Sequence, residues 1–220
     1  MLSVIPVVMN PVFLSPPPAH CATWLQFKGS SLAAGLLRLA GWRIDWHGLP
    51  TKQGVFIAYP HTSNWDFPVG ILTKWAIGLP LRFWAKEGLF TGVAGVTIGP
   101  LMRYWGGVPV NRRAASGMID DTLAHMQRSD YFWLALAPEG TRSYSPYWRS
   151  GFYRLALAAA CPLGLAYFDF KNKVVSAAHF ITLTGDEAAD VATIAAYYAG
   201  KAHGCKPELA GDIAFKPPKT

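Results

Sequence analysis

At 220 residues the chain has material for one well-buried domain, and a second domain would leave too little core for each. Hydrophobic residues make up 51% of it and charged residues only 15%, with nine tryptophans, a balance that indicates contact with lipid or a very apolar core. The formal charge of +7 draws anions, but no aromatic RNA-binding signature, zinc spacing or Lys/Arg run accompanies it, so no nucleic-acid partner is expected.

Residues 1–27 carry no Lys, Arg, Asp or Glu, and Pro6, Pro11 and Pro16 to Pro18 interrupt them, which argues against a continuous membrane-spanning helix. No basic residue precedes the apolar run, as a signal peptide would require. Trp24 to Trp42 reads as a helix with Leu32, Leu36 and Leu39 on one face, either lying in a membrane interface or packing on the domain. Residues 1–50 are therefore expected to form an N-terminal apolar and helical segment.

From residue 55 short apolar runs alternate with helical stretches. VFIAY (55–59), LRFWA (81–85), GVPV (107–110), YFWLALA (131–137) and LGLAYF (163–168) predict core strands, and 66–78, 114–128 and 151–160 predict helices. The alternation implies a single α/β domain over 51–200, a mostly parallel or mixed central sheet flanked by helices, with functional residues in loops at strand ends. The uncharged, Gly-rich stretch 88–102 is too short to cross a bilayer; it is read as an acyl-pocket wall, a lipid-inserting element or a buried connection. Residues 67–119 hold one acid, Glu87, against Lys74, Arg82, Lys86, Arg103, Arg112 and Arg113, which favours an anionic acceptor or an anionic membrane. Residues 201–220, rich in Pro, Gly and Lys, are expected to be a loosely packed C-terminal tail. Cys21, Cys161 and Cys205 are odd in number and lack a CxxC spacing, which indicates a reducing compartment and no metal site.

Three constellations carry chemistry. PHTSNWDF (60–67) follows the first strand and supplies His61 and Asp66 five positions apart. A carboxylate on one ring nitrogen would fix the tautomer and make the other nitrogen a general base. Taken alone, that spacing is equally met by helix capping. WGGVPVNRR (105–113) ends in Arg112, placed to clamp a phosphate or to form a solvated turn. APEGTRS (137–143) offers Gly140 for close backbone approach, Thr141 and Arg142 as donors to a phosphate or oxyanion, and Glu139 to organise Arg142 or Arg112 through an ion pair.

Together PHTSNWD, GGVPVNRR and APEGTRS, in this order and at these separations, resemble the first three motifs of the lysophospholipid and glycerolphosphate acyltransferase family. KEGLF and WRSGFYRLA extend the likeness over about Val55 to Phe170, while Pro60 and Ala137 depart from its pattern. The resemblance implies a glycerolphosphate acyltransferase-like fold and a His61–Asp66 pair that activates an acceptor hydroxyl. It also implies acceptor binding by Arg112, Glu139, Gly140, Thr141 and Arg142, with no cofactor beyond an acyl-CoA or acyl carrier protein co-substrate. The expected partners are a lysophospholipid of lysophosphatidic acid type and an anionic membrane surface, with peripheral attachment at the cytoplasmic face. A protein with this fold that merely holds an acyl lipid, or an acyltransferase with a different hydroxy-lipid acceptor, is the alternative. A serine hydrolase is not expected, since no G-x-S-x-G elbow occurs.

Overall fold

Both faces of the central sheet are covered, which is why its strands read as continuous apolar runs rather than as an alternation. A computed structural model describes residues 24–110 and 115–216. Helix α1 (Ser31–Leu39) and strand β1 (Arg43–Asp45) precede β2 (Gln53–Tyr59), α2 (Asp66–Ala76) and β3 (Leu81–Lys86). A 3-10 turn and the short helices α3 (Gly92–Thr97) and α4 (Gly99–Tyr104) then lead to β4 (Gly107–Val110). Next come α5 (Ala115–Gln127), β5 (Phe132–Leu136), α6 (Gly151–Ala158), β6 (Leu163–Asp169), β7 (Val174–Ile181) and α7 (Glu187–Tyr198).

The seven strands order as β1-β7-β6-β2-β5-β3-β4. Strands β6, β2, β5, β3 and β4 run parallel, β7 turns back antiparallel to β6, and β1 lies parallel to β7. The sheet is thus mixed, and five strands deliver their carboxyl ends to one edge. Side chains alternate between its faces. Phe56 and Trp133 join Ala33, Leu37, Val69 and Ala76 of α1 and α2 on one side, while Val55, Ile57 and Leu134 meet Ile119, Phe152, Leu155 and Ile194 of α5, α6 and α7 on the other.

Three segments differ from the sequence-based expectation. Helix α1 begins at Ser31 rather than Trp24, because Ser30 caps it through a bond from the Ala33 N–H and residues 24–29 must first pass the end of α2. There the Ser30 N–H donates to the Trp75 carbonyl (2.8 Å), and Leu25 bridges to Leu49. The stretch 88–102 is not a buried connection: α3 and α4 stand at the surface, with Val93 and Val96 at least 80% exposed. Residues 201–216 are not loose. The Phe170 N–H donates to the His203 carbonyl (2.8 Å), the Trp148 N–H to the Ala214 carbonyl (2.7 Å), and the Tyr59 hydroxyl to the Gly211 carbonyl (2.9 Å).

Packing at the sheet centre is close. Gly54 pairs with Trp133 across β2 and β5, and the indole fills the space where a side chain would stand, so a Cβ on Gly54 would lie 2.2 Å from the ring. Gly54→Ala is therefore expected to destabilise the fold by about 1–3 kcal/mol, the usual cost of overpacking, as measured by the midpoint of denaturant unfolding.

Candidate active site

The carboxyl edge of the sheet gathers the first and third motifs because β2 and β5 are neighbours. After Tyr59 the chain leaves β2 through a cis Tyr59–Pro60 bond and turns into α2. Asp66 is the first residue of that helix, and its buried carboxylate points back into the turn. Oδ2 takes His61 Nδ1 at 3.0 Å and the Ser63 N–H at 3.0 Å. Helix α2 has no side-chain cap, so Asp66 serves the turn and the imidazole rather than the helix start.

The imidazole is 21% exposed while the Asp66 side chain is 1% exposed, so the pair is anchored inside and opens outward. With Nδ1 engaged, Nε2 has no partner among the described residues and faces whatever enters. An acid on one nitrogen makes the other a base.

Glu139 does not make the ion pair to Arg142 that the sequence suggested, and Arg112, the other expected partner, falls outside the described residues. Glu139 is 3% exposed, and among the described residues it pairs with no arginine. Instead Oε2 accepts the His61 main-chain N–H at 2.8 Å. Burial raises its pKa to about 7, with the nearby Asp66 charge adding and the His61 N–H bond opposing. Tyr59, half-buried and near Glu139 and Asp212, is pushed up to about 12.

The rest of the third motif forms a turn. Gly140 adopts φ +67°, and its missing side chain admits Arg149, whose Nε would lie 2.5 Å from a Cβ there. The Arg149 N–H also donates to the Pro138 carbonyl (2.8 Å), so this exposed cation stands beside the motif. Thr141 Oγ1 accepts the Ser143 N–H at 3.1 Å, and Arg142 lies exposed. Arg112 falls outside the described residues; β4, which precedes it, ends at the same sheet edge, three strand spacings or about 14 Å from β2.

Sequence patterns did not single out Arg149, Thr62 or the C-terminal segment that closes this site. WRSGFYRLA flagged Arg149 only as part of a likeness, and nothing local marks Gly204. Yet Thr62 Oγ1 accepts the Lys206 N–H at 3.1 Å, and Gly204 sits so close that a Cβ would meet Thr62 Oγ1 at 2.7 Å and Pro60 at 2.9 Å. His203 Nδ1 also lies 3.3 Å from Asp169 Oδ1 at the end of β6. On the other sheet face a groove of about 400 Å³ runs between β3, β4 and α5, walled by Trp84, Val108, Val110, Met118 and Leu134, with Arg82 and His125 also lining it.

Because Gly204 backs the His61 turn, Gly204→Ala is expected to lower turnover, while Gly151→Ala, whose Cβ meets open space, leaves it near wild type. Steady-state kinetics on the two variants, with circular dichroism to establish folding, checks this.

Residues 43–168, more than half the chain, match the family model described as Acyltransferase. Among solved structures the chain is similar to the crystal structure of PlsC, the 1-acyl-sn-glycerophosphate (LPA) acyltransferase of Thermotoga maritima. The identity is 18% over 70% of this chain and 69% of that one, with a TM-score of 0.46. No curated protein matches the sequence.

Proposed function

Since the chain belongs to the acyltransferase family and is an acyltransferase, we propose that it acylates a lysophospholipid of lysophosphatidic acid type in phospholipid biosynthesis, with coenzyme A or acyl carrier protein as the thioester carrier. The observation that carries this reading is the His61–Asp66 pair, 3.0 Å apart, at the mouth of the carboxyl edge with Nε2 open. Family membership sets aside the non-catalytic lipid-binding alternative.

The acceptor hydroxyl gives its proton to His61 Nε2 as its oxygen attacks the thioester carbon. Asp66 steadies the resulting imidazolium through Nδ1. The tetrahedral oxyanion takes hydrogen bonds from main-chain amides of the motif turns. It then collapses, breaking the carbon–sulfur bond, and the leaving sulfur recovers the proton from His61 as a thiol. No acyl-enzyme intermediate is needed. Arg112, Arg142 and the Gly140–Thr141 turn bind the acceptor phosphate, and the groove between β3, β4 and α5 offers apolar walls to an acyl chain.

Thiol release from a long-chain acyl-coenzyme A, with and without lysophosphatidic acid, tests the reading. His61→Ala is expected to cut acceptor-dependent kcat by about 10² to 10⁴, the usual contribution of a positioned base. Arg112→Ala should instead raise the acceptor KM. Thiol release that ignores the acceptor would mean a hydrolase, and a His61→Ala variant of undiminished rate would remove the base.

Peripheral attachment to an anionic membrane at its cytoplasmic face belongs to the same proposal. Helices α1 to α4 share one sheet face, and their outer sides carry Leu32, Leu36, Leu39, Val93, Val96, Leu101 and Tyr104 exposed. Lys28, Lys74 and Tyr104 line one cleft between them. Residues 24–110 hold only Asp45, Asp66 and Glu87 as acids against eight Lys and Arg residues, and Asp66 is buried. Apolar side chains set among cations, nearly free of exposed carboxylates, suit an anionic lipid surface. None of the described helices is long and apolar enough to cross a membrane. Val93→Asp with Val96→Asp is expected to abolish co-sedimentation with anionic vesicles while acylation of detergent-dispersed acceptor persists; unchanged co-sedimentation would remove α3 from the contact.

A further inference from the structure

Two carboxyl groups hold the same histidine. Glu139 Oε2 accepts the His61 main-chain N–H at 2.8 Å, and Asp66 Oδ2 takes its Nδ1 at 3.0 Å. Both acids are buried, at 3% and 2% exposure, and no Lys or Arg among the described residues lies within ion-pair distance of either. Two full negative charges so placed would repel with little screening from solvent.

The hydrogen-bond inventory points the same way. Asp66 Oδ2 has two donors, but Asp66 Oδ1 is buried and has none. A buried acceptor left unpaired is costly, so this pocket is short of one donor. We infer that Glu139 is that donor: it stands in the working enzyme as an uncharged carboxylic acid, accepting the His61 N–H with Oε2 and turning the hydroxyl of Oε1 to Asp66 Oδ1. Glu139 is then a positioning residue, and the two acids share a single negative charge, which sits on Asp66 where it steadies the base. No proton is consumed in turnover, because the one on Glu139 stays in place.

The groups facing Glu139 are consistent with a neutral acid. His61 and Asp66 come from the turn between β2 and α2. Tyr59 of β2 and Tyr198 of α7 both have phenols whose pKa burial raises. Arg149 packs against Gly140 without pairing to Glu139. The titration of Glu139 itself is displaced upward, to about 7, by burial first and the Asp66 charge next.

The kinetic arm of the test rests on His61 being the base, and the spectroscopic arm does not. Infrared difference spectra of the full chain, wild type minus Glu139→Gln, are expected to show a protonated-carboxyl C=O band that titrates away with a midpoint near 7. Absence of that band below about pH 6, where an ordinary glutamate is already ionised, overturns the inference. In acyl transfer from acyl-coenzyme A to lysophosphatidic acid, Glu139→Gln keeps both an acceptor oxygen and a donor N–H. Its kcat is expected within about tenfold of wild type, the scale of one altered hydrogen bond. Glu139→Ala should lose about 10²-fold through misplacement of His61, with the acceptor KM unchanged in both. Equal losses for Gln and Ala, or a raised KM, would return Glu139 to a substrate-binding role. Should wild type show no acceptor-dependent turnover, the functional reading fails on its own and the infrared band still decides the state of Glu139.

Discussion

His61 is held at two points, its main-chain N–H on Glu139 and its ring on Asp66, and the geometry of the carboxyl edge follows from that double hold. A histidine gripped only by its ring could still swing with its loop; one gripped also by its backbone has its Nε2 direction set. The second grip requires β5 to lie directly beside β2, so that the turn after Leu136 reaches the turn after Tyr59. The buried strand pairing in the middle of the sheet therefore sets the geometry of the candidate site.

Burial of these acids has a cost, and the surroundings offset it in different ways. Asp66 is compensated by donors, Ser63 N–H and His61 Nδ1. Among the described residues Glu139 has a single donor, and its pKa rises instead, the ordinary response of a carboxyl that burial leaves short of partners. The C-terminal segment completes the enclosure from a third side, through Thr62, Gly204 and Lys206. It keeps the turn from relaxing outward and so preserves the short contacts within it.

Around this site the two helix layers differ in character. The layer of α1 to α4 is apolar outside and poor in acids, whereas α5 and α7 carry Asp120, Asp121, Glu187 and the buried Asp190, the last satisfied by Thr184, Gly185 and Tyr153. One sheet thus separates a basic, apolar layer from one in which acids and bases are mixed. An asymmetric surface of this kind gives a molecule a preferred orientation at a charged interface.

Much of this was legible from the chain itself, because the relevant signals are local. Apolar runs between turn residues announced β2 to β6, the apolar stripe of α5 followed from its period, and the five-residue step from His61 to Asp66 is short enough for one turn to close. What the sequence left open depends on distant partners. Strands β1 and β7, with the short RID and the small residues of VVSAAHFI, become strands by pairing with each other and with β6. Glu139 stands 78 residues from His61, and Gly204 is farther from Thr62 still, so no spacing rule connects them. Sequence marked the residue types and motifs that could carry the chemistry; the tertiary structure decided that Glu139 holds the His61 main chain, with no arginine among the described residues paired to it, because the order of strands in a sheet, and hence which turns meet, is set by long-range packing that no local pattern encodes.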